Sequence, residues 1–232
     1  MNFLNFPQLT VADIRNLFVA EYLSEDRINP NTIELIGTSF IANEQSIFGE
    51  MNNEYVLAEI EWYLKGSLCV YDINHDPIPA IWKQIADPDG IINSNYGVLF
   101  FEPDNYSQLD SVIKAFESDP LTRRAIAIYT RPSMHKDYCR NGMNDFVCTN
   151  TVQYFIRKDR LHCIVSMRSN DVVFGYRNDR AWQQYAMITV YNRLKSLDQF
   201  QNIKLGNMIW QAASLHVYPR HYKLIESHIN GK

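Results

Sequence analysis

The sequence predicts a single α+β domain. Strand-like and helix-like segments follow one another without the regular βαβ alternation of a doubly wound sheet. No repeat, low-complexity tract or linker divides the chain. At 232 residues, 46% hydrophobic and 21% charged, the chain can bury one sizeable core but is short for two domains. The expected domain therefore spans residues 1–232.

The elements are expected in the following order. Thr10-Val-Ala-Asp13 has the form of a capping box, and Val11, Ile14, Leu17, Phe18 and Tyr22 recur at helical spacing behind it. Thr32–Ile41 reads as a strand in which Gly37 suggests a bulge or a close backbone approach. Residues 53–64 read as a helix stopped by Gly66. From Asp72 to Asn105 the chain holds four of its nine prolines, so a long irregular segment of functional type is expected there. Asp104–Ser118 reads as a helix and Ala125–Thr130 as a strand. Thr151–Arg157 and Leu161–Arg168 form two strands joined by the turn Lys158-Asp159-Arg160, a hairpin able to bring its outer ends together. Asn178-Asp179 fits the cap of a helix running to Leu194, with Trp182, Tyr185, Ile188 and Leu194 on one face. A last strand at Met208–Tyr218 leads, through Pro219, into a closing helix carrying Tyr222, Ile225 and Ile229.

Composition excludes several classes of function. A net charge of −4 argues against a protein whose main partner is a nucleic-acid backbone. No apolar run reaches the roughly 18 residues of a membrane span, and Met1-Asn-Phe-Leu-Asn-Phe6 has no secretory character. A cytoplasmic protein is expected. Cys69, Cys139, Cys148 and Cys163 form no CxxC pair and have no histidine at zinc-finger spacing, so free thiols and no structural metal are expected.

The chemistry-bearing residues concentrate between Asp145 and Asp179. A thiolate is the nucleophilic form of cysteine and a neighbouring guanidinium favours it, so Cys148 and Arg168, at the two ends of the hairpin, form a candidate pair. Cys163 sits in the apolar run Leu-His-Cys-Ile-Val and reads as core. Arg123, Arg124, Arg168 and Ser169 suit an anion, because guanidinium forks match phosphate oxygens and a hydroxyl adds a neutral donor. His216 and Tyr218, two apart on a strand, face the same side and so suit one ligand. On position alone Asp179 reads as a helix cap, Glu59 as the charged face of its helix, and Trp82 and Tyr96 as packing aromatics.

Several ordered blocks together resemble the thymidylate synthase superfamily over nearly the whole chain. They are Glu59-Ile-Glu-Trp62-Tyr-Leu-Lys-Gly66, Ile81-Trp82, Asn95-Tyr96-Gly97, Asp119-Pro120-Leu-Thr-Arg123-Arg124, Cys148, Gln153-Tyr-Phe, Met167-Arg168-Ser169-Asn-Asp171-Val-Val-Phe-Gly175 and His216-Val-Tyr218. Within the superfamily, Tyr129-Thr-Arg-Pro-Ser-Met134 and the run Arg168–Asp179 most closely resemble the bacteriophage-type deoxycytidylate hydroxymethylases. Where the synthases have Pro-Cys-His, this chain has Val147-Cys148-Thr149, and where they have Pro-Phe-Asn it has Arg177-Asn178-Asp179. Their apolar closing tail is expected to have no counterpart after Gly231-Lys232, and no residue is assigned to their early phosphate-loop arginine.

The resemblance implies a mixed sheet flanked by helices and a homodimer joined through its sheets. It also implies 5,10-methylenetetrahydrofolate as co-substrate. Cys148 would add to C6 of the pyrimidine, Glu59 would move protons, and Asp179 would read the base. An amide suits uracil, whereas a carboxylate can accept from N4 of cytosine and share a proton at N3, so deoxycytidylate (dCMP) is the expected substrate. Arg168 and Ser169, with Arg123 and Arg124 of a second subunit, would hold the phosphate, and His216 and Tyr218 the sugar. Trp82, Tyr96, Asp171 and Gly175 would line the folate side. Three alternatives stay open: a deoxyuridylate (dUMP) hydroxymethylase or methylase, a non-catalytic nucleotide- or RNA-binding regulator, and a component of a nucleotide-synthesis complex.

Overall fold

A computed structural model of the chain describes residues 8–24 and 29–231. The chain forms two compact units: one is drawn from the residues up to Met51 and from Tyr154 onward, the other from Asn52–Gln153. In chain order the elements are β1 (Leu9–Thr10), α1 (Val11–Leu23), β2 (Ile33–Ile41), α2 (Asn53–Lys65), α3 (Ala80–Ile85), α4 (Tyr96–Phe101) and α5 (Gln108–Ser118). They continue with β3 (Ile126–Ile128), α6 (Met134–Asp137), β4 (Thr149–Arg157), β5 (Arg160–Asp171), α7 (Gly175–Lys195), β6 (Lys204–Val217) and α8 (Tyr222–Ile229).

The strands make a mixed sheet in the order β1-β2-β6-β5-β4-β3. Parallel pairs (β1 with β2, β5 with β6) are combined with antiparallel ones (β2 with β6, β3 with β4). This bears out the expected α+β class. In the first unit the core is made by Phe40, Val165, Met167, Tyr176, Trp182 and Trp210. In the second, Trp62, Tyr63, Tyr96, Phe100, Phe116 and Tyr129 are buried.

Local signals set several boundaries. The Thr10 hydroxyl accepts from the Asp13 amide while the Asp13 carboxylate accepts from the Thr10 amide at 2.8 Å, which is the predicted capping box. Helix α2 ends at Gly66 in the left-handed conformation, as expected. The hairpin turns through Lys158 and Asp159 at φ 52° and 56°, the backbone of a type I′ turn, so Arg160 already belongs to β5.

Other boundaries differ from the sequence reading. The helix expected from Asp104 begins only at Gln108, because Tyr106 and Ser107 both take positive φ and break the path. The irregular segment before it contains α3 and α4, which place Trp82 inside one short helix and Tyr96 at the start of another. Gly37 makes neither a bulge nor a close approach: the β2–β6 register is the same on both sides of it, and a Cβ at this position would have nothing within 4 Å. Its φ of 67° accounts for the glycine. Helix α7 turns a different face inward from the one expected. Gln183, Ala186, Met187 and Val190 join Trp182 and Leu194 in burial, whereas Ile188 is exposed. In the closing helix Ile225 alone of the three expected apolar residues is buried.

Candidate active site

The expected site residues divide between the units. Glu59, Trp82, Tyr96, Arg123, Arg124 and Cys148 belong to the second, while Arg168, Ser169, Asp171, Gly175, Asp179, His216 and Tyr218 belong to the first.

In the second unit, one stripe of α2 is buried, comprising Tyr55, Glu59, Trp62 and Tyr63 at the spacing of a helical face. Glu59 is therefore not the solvated charge that its neighbour Glu61 is; it is 4% exposed. The Tyr55 hydroxyl, one turn earlier, donates to Glu59 Oε1 at 2.6 Å and accepts from the Trp82 indole at 2.6 Å. Trp82 in turn packs edge-on against Trp62 with ring centroids 5.2 Å apart. Burial in this aromatic box pushes the Glu59 carboxyl up to about 7, against the opposing pull of the Tyr55 and Trp82 hydrogen bonds. Such a group is half-protonated near neutral pH, the condition for both giving and accepting a proton.

This shift has a measurable consequence for stability. Unfolded, Glu59 titrates at its ordinary 4.5, and folded at about 7, so between these values the folded protein holds the extra proton. Stability is thus fullest below 4.5 and declines as the pH rises through 7, with a cost of about 3 kcal/mol once the carboxylate is ionised. Glu59→Gln removes the titration. Denaturant midpoints should show the variant gaining on the wild type from pH 5 to pH 8, and parallel curves would contradict the burial assigned to Glu59.

Cys148 lies half-buried at the entry to β4, between buried Val147 and Thr149, with Sγ 3.8 Å from the Phe146 carbonyl oxygen. Three residues before it, buried Asp145 accepts from the amides of Asn93 and Ser94, each at 2.7 Å, and from the Ser94 hydroxyl at 2.7 and 2.8 Å. Asn95 then caps α4, accepting from the Val98 amide at 3.0 Å, and its own amide donates to the Ser67 carbonyl at 2.7 Å. The loop that presents Cys148 is thereby tied to the segment that presents Tyr96. Tyr96 itself is buried against Tyr63 and Tyr129, at 5.6 and 5.4 Å. Arg123 and Arg124 are exposed, and the Arg123 carbonyl accepts from Gln153 at 2.8 Å. Cys163, in the first unit, is buried with its thiol pushed up to about 12, as its apolar run predicts.

In the first unit, β5 and β6 run parallel with Ser169 opposite Ser214 and Asp171 opposite His216. His216 is held below the ordinary histidine range by burial, against the pull of the Asp171 and Glu34 carboxylates. It is a neutral ring at physiological pH, fit to exchange hydrogen bonds with a hydroxyl. The His216 and Tyr218 rings meet edge-on at 5.0 Å, as their two-residue spacing suggests. Asp171 Oδ1 accepts from the Val173 amide at 3.2 Å and Oδ2 from the Phe174 amide at 3.0 Å, so a carboxylate shapes the turn into α7.

Asp179 is not a cap. Helix α7 starts four residues earlier, at Gly175, and Asp179 stands inside its second turn. Its Oδ2 accepts instead from the Asn170 amide at 2.8 Å. Gly175 makes room for this pair: a Cβ there would lie 3.1 Å from Asn170 Nδ2 and 3.7 Å from Asp179 Oδ2. Sequence reasoning assigned no role to Tyr55, Asn170 or Asp145. Only Tyr55 carried a local signal, its four-residue spacing from Glu59 on one helix.

Among the described residues no group of three His, Cys, Asp or Glu side chains is placed to hold a metal ion. None of their helices is long and apolar enough to cross a membrane. The family model for thymidylate synthase matches residues 23–232 and so runs through both units. Deoxycytidylate 5-hydroxymethyltransferase of Enterobacteria phage T4 is 47% identical over 97% of this chain and 95% of its own length. The phage T2 protein of the same name is 48% identical over 94% of this chain and 90% of its own. A thymidylate synthase of Francisella tularensis is 23% identical over 75% of this chain and 65% of its own.

Proposed function

Since the chain belongs to the thymidylate synthase family, we propose that it transfers a one-carbon unit from 5,10-methylenetetrahydrofolate to C5 of dCMP with addition of water. The products are 5-hydroxymethyl-dCMP and tetrahydrofolate. Residues 1–232 act as one catalytic domain in this reading. The observation that carries the choice of base is the carboxylate at position 179, oriented by a buried amide donor.

Cytosine presents an N4 amino donor and an unprotonated N3. The Asp179 carboxylate accepts from N4 and shares a proton at N3, whereas uracil O4 would face it with lone pairs. A mismatch of this kind costs about 1–3 kcal/mol, and more when charged, which suffices for a ten- to hundredfold preference. The Cys148 thiolate adds to C6 of the pyrimidine, and the displaced electron pair makes C5 a nucleophile toward the one-carbon unit. Asp179 promotes the addition by stabilising the proton at N3 as charge moves onto the ring. Glu59, poised near neutrality, moves the protons of the elimination steps and directs water at the exocyclic methylene. Loss of the C5 proton accompanies cleavage of the bond between the methylene and the folate nitrogen, which leaves with a proton as tetrahydrofolate. Addition of hydroxide to that methylene and expulsion of the Cys148 thiolate then complete the balance.

Bound folate supplies a methylene unit at the oxidation level the product requires. The chain offers suitable chemistry for it in Asp171, whose two oxygens each keep acceptor capacity beyond the backbone bonds, matching the N–H edge of a pterin. Trp82, Tyr96 and Gly175 complete the proposed folate side. With its indole N–H committed to Tyr55, Trp82 contributes ring surface. Arg168 and Ser169 hold the 5′-phosphate, and His216 and Tyr218 the 3′-hydroxyl. Arg123 and Arg124 are proposed to reach the phosphate of a second subunit in a homodimer, which their exposure permits. An active monomer at catalytic concentration would contradict that sharing. The protein is proposed to work in the cytoplasm, that of the host if the gene is carried by a phage, and to take part in a nucleotide-synthesis complex. The substrate assignment is tested by release of tritium from C5. Folate-dependent release from labelled dCMP in excess over dUMP is expected, and release from dUMP alone would overturn it.

A further inference from the structure

Asn170, near the end of β5, is 3% exposed and its side-chain amide is engaged at both ends. Nδ2 donates to Asp179 Oδ2 at 2.8 Å, and Oδ1 accepts from Trp210 Nε1 at 3.2 Å. An indole N–H can only donate, so it must face the oxygen of the amide, and this leaves the NH2 end to face Asp179. Trp210 is itself fixed. It is fully buried and meets the Tyr176 ring edge-on at 5.2 Å, while the Tyr176 hydroxyl donates to the Glu44 carbonyl at 3.0 Å. A chain of direction-giving contacts thus runs from the core of the sheet to one carboxylate oxygen.

We infer that Asn170, with its amide oriented by Trp210, is a positioning residue that determines base specificity by anchoring Asp179 through Oδ2. This rests on Asp179 being the residue that reads the base. A donor at Oδ2 disfavours a proton on that oxygen and restricts the rotation of the carboxylate. The carboxylate then meets the N3 and N4 edge in one orientation and one protonation pattern. Without the anchor, a rotating or protonated carboxyl can donate to O4 of uracil as readily as it accepts from N4 of cytosine. The feature that distinguishes cytosine would be lost even with Asp179 still in place.

The test compares four variants by kcat/KM for tritium release from dCMP and from dUMP, each with a pH profile and a thermal melt. Asp179→Asn is expected to move the preference toward dUMP. Asn170→Leu, which keeps the volume and removes the donor, is expected to lower the dCMP preference by roughly tenfold to a hundredfold. Trp210→Phe, which removes one N–H from a retained aromatic ring, is expected to shift it in the same direction by a smaller factor. Asn170→Asp can donate only when protonated, so its dCMP activity should recover as the pH is lowered from 8 to 6, a signature that simple loss of packing does not produce. If Asp179→Asn shifts the preference while the Asn170 variants and Trp210→Phe keep the wild-type ratio and pH profile, the inference is overturned. If Asp179→Asn itself leaves the ratio unchanged, the base-reading assignment fails first. Should Asn170→Leu not fold, Asn170→Asp and Trp210→Phe decide the question.

Discussion

Cys148→Ala should abolish folate-dependent tritium release from dCMP, by on the order of a thousandfold or more, while leaving the melting temperature close to that of the wild type. The pyrimidine C5 is not nucleophilic until a nucleophile has added at C6, so every later step waits on this one bond. The described structure offers no substitute from Cys163: with its buried thiol near 12, it is almost entirely protonated at neutral pH. Stability should be spared because Cys148 is only half-buried and its loop is held by the Asp145 carboxylate. The check is an exchange assay beside a thermal melt, with Cys163→Ala as the control expected to retain turnover. More than a tenth of wild-type exchange in Cys148→Ala would rule out covalent addition through this residue.

Asp179→Asn has the second-largest expected effect, and it is a change of preference more than a loss. An asparagine can turn its oxygen toward the Asn170 donor and present its NH2 group to O4 of uracil, while cytosine then loses the acceptor for N4. The ratio of kcat/KM for dCMP to that for dUMP should fall by roughly ten- to a hundredfold. The helix geometry makes this a clean substitution. A lost N-cap would cost about 1 kcal/mol of stability, but Asp179 lies inside α7 and not at its N-cap, so the melt should move little. Paired rates on the two nucleotides measure the effect, and an unchanged ratio would remove Asp179 from base reading.

What the sequence made legible was local. The Thr10–Asp13 box, the Gly66 stop and the Lys158-Asp159 turn each depend on a few neighbouring residues, and each is where the pattern places it. The α+β class followed from the lack of a βαβ rhythm, the mixed sheet followed from the family resemblance, and the cysteine, arginines and paired His216 and Tyr218 stood out by residue type. The misreadings at the site concern partners that the immediate sequence pattern does not reveal. Asp179 resembled a cap because an aspartate before an apolar run usually is one. Here Asp171 shapes the turn into the helix earlier, and Asn170 takes the carboxylate. Glu59 resembled a solvated charge because Glu61 follows it, and only the arrival of Trp82 from another helix converts its surroundings into an aromatic box. The two residues whose chemistry depends most on their surroundings were therefore the two that local pattern described least well.

The central claim is that this chain adds a hydroxymethyl group to cytosine, and identification of the product tests it most directly. The purified protein would be incubated with dCMP and 5,10-methylenetetrahydrofolate, and the nucleotide analysed by mass. A gain of one CH2O unit, absent with Cys148→Ala, is the predicted result. A gain of CH2 alone, or modification of dUMP with dCMP left intact, would contradict it.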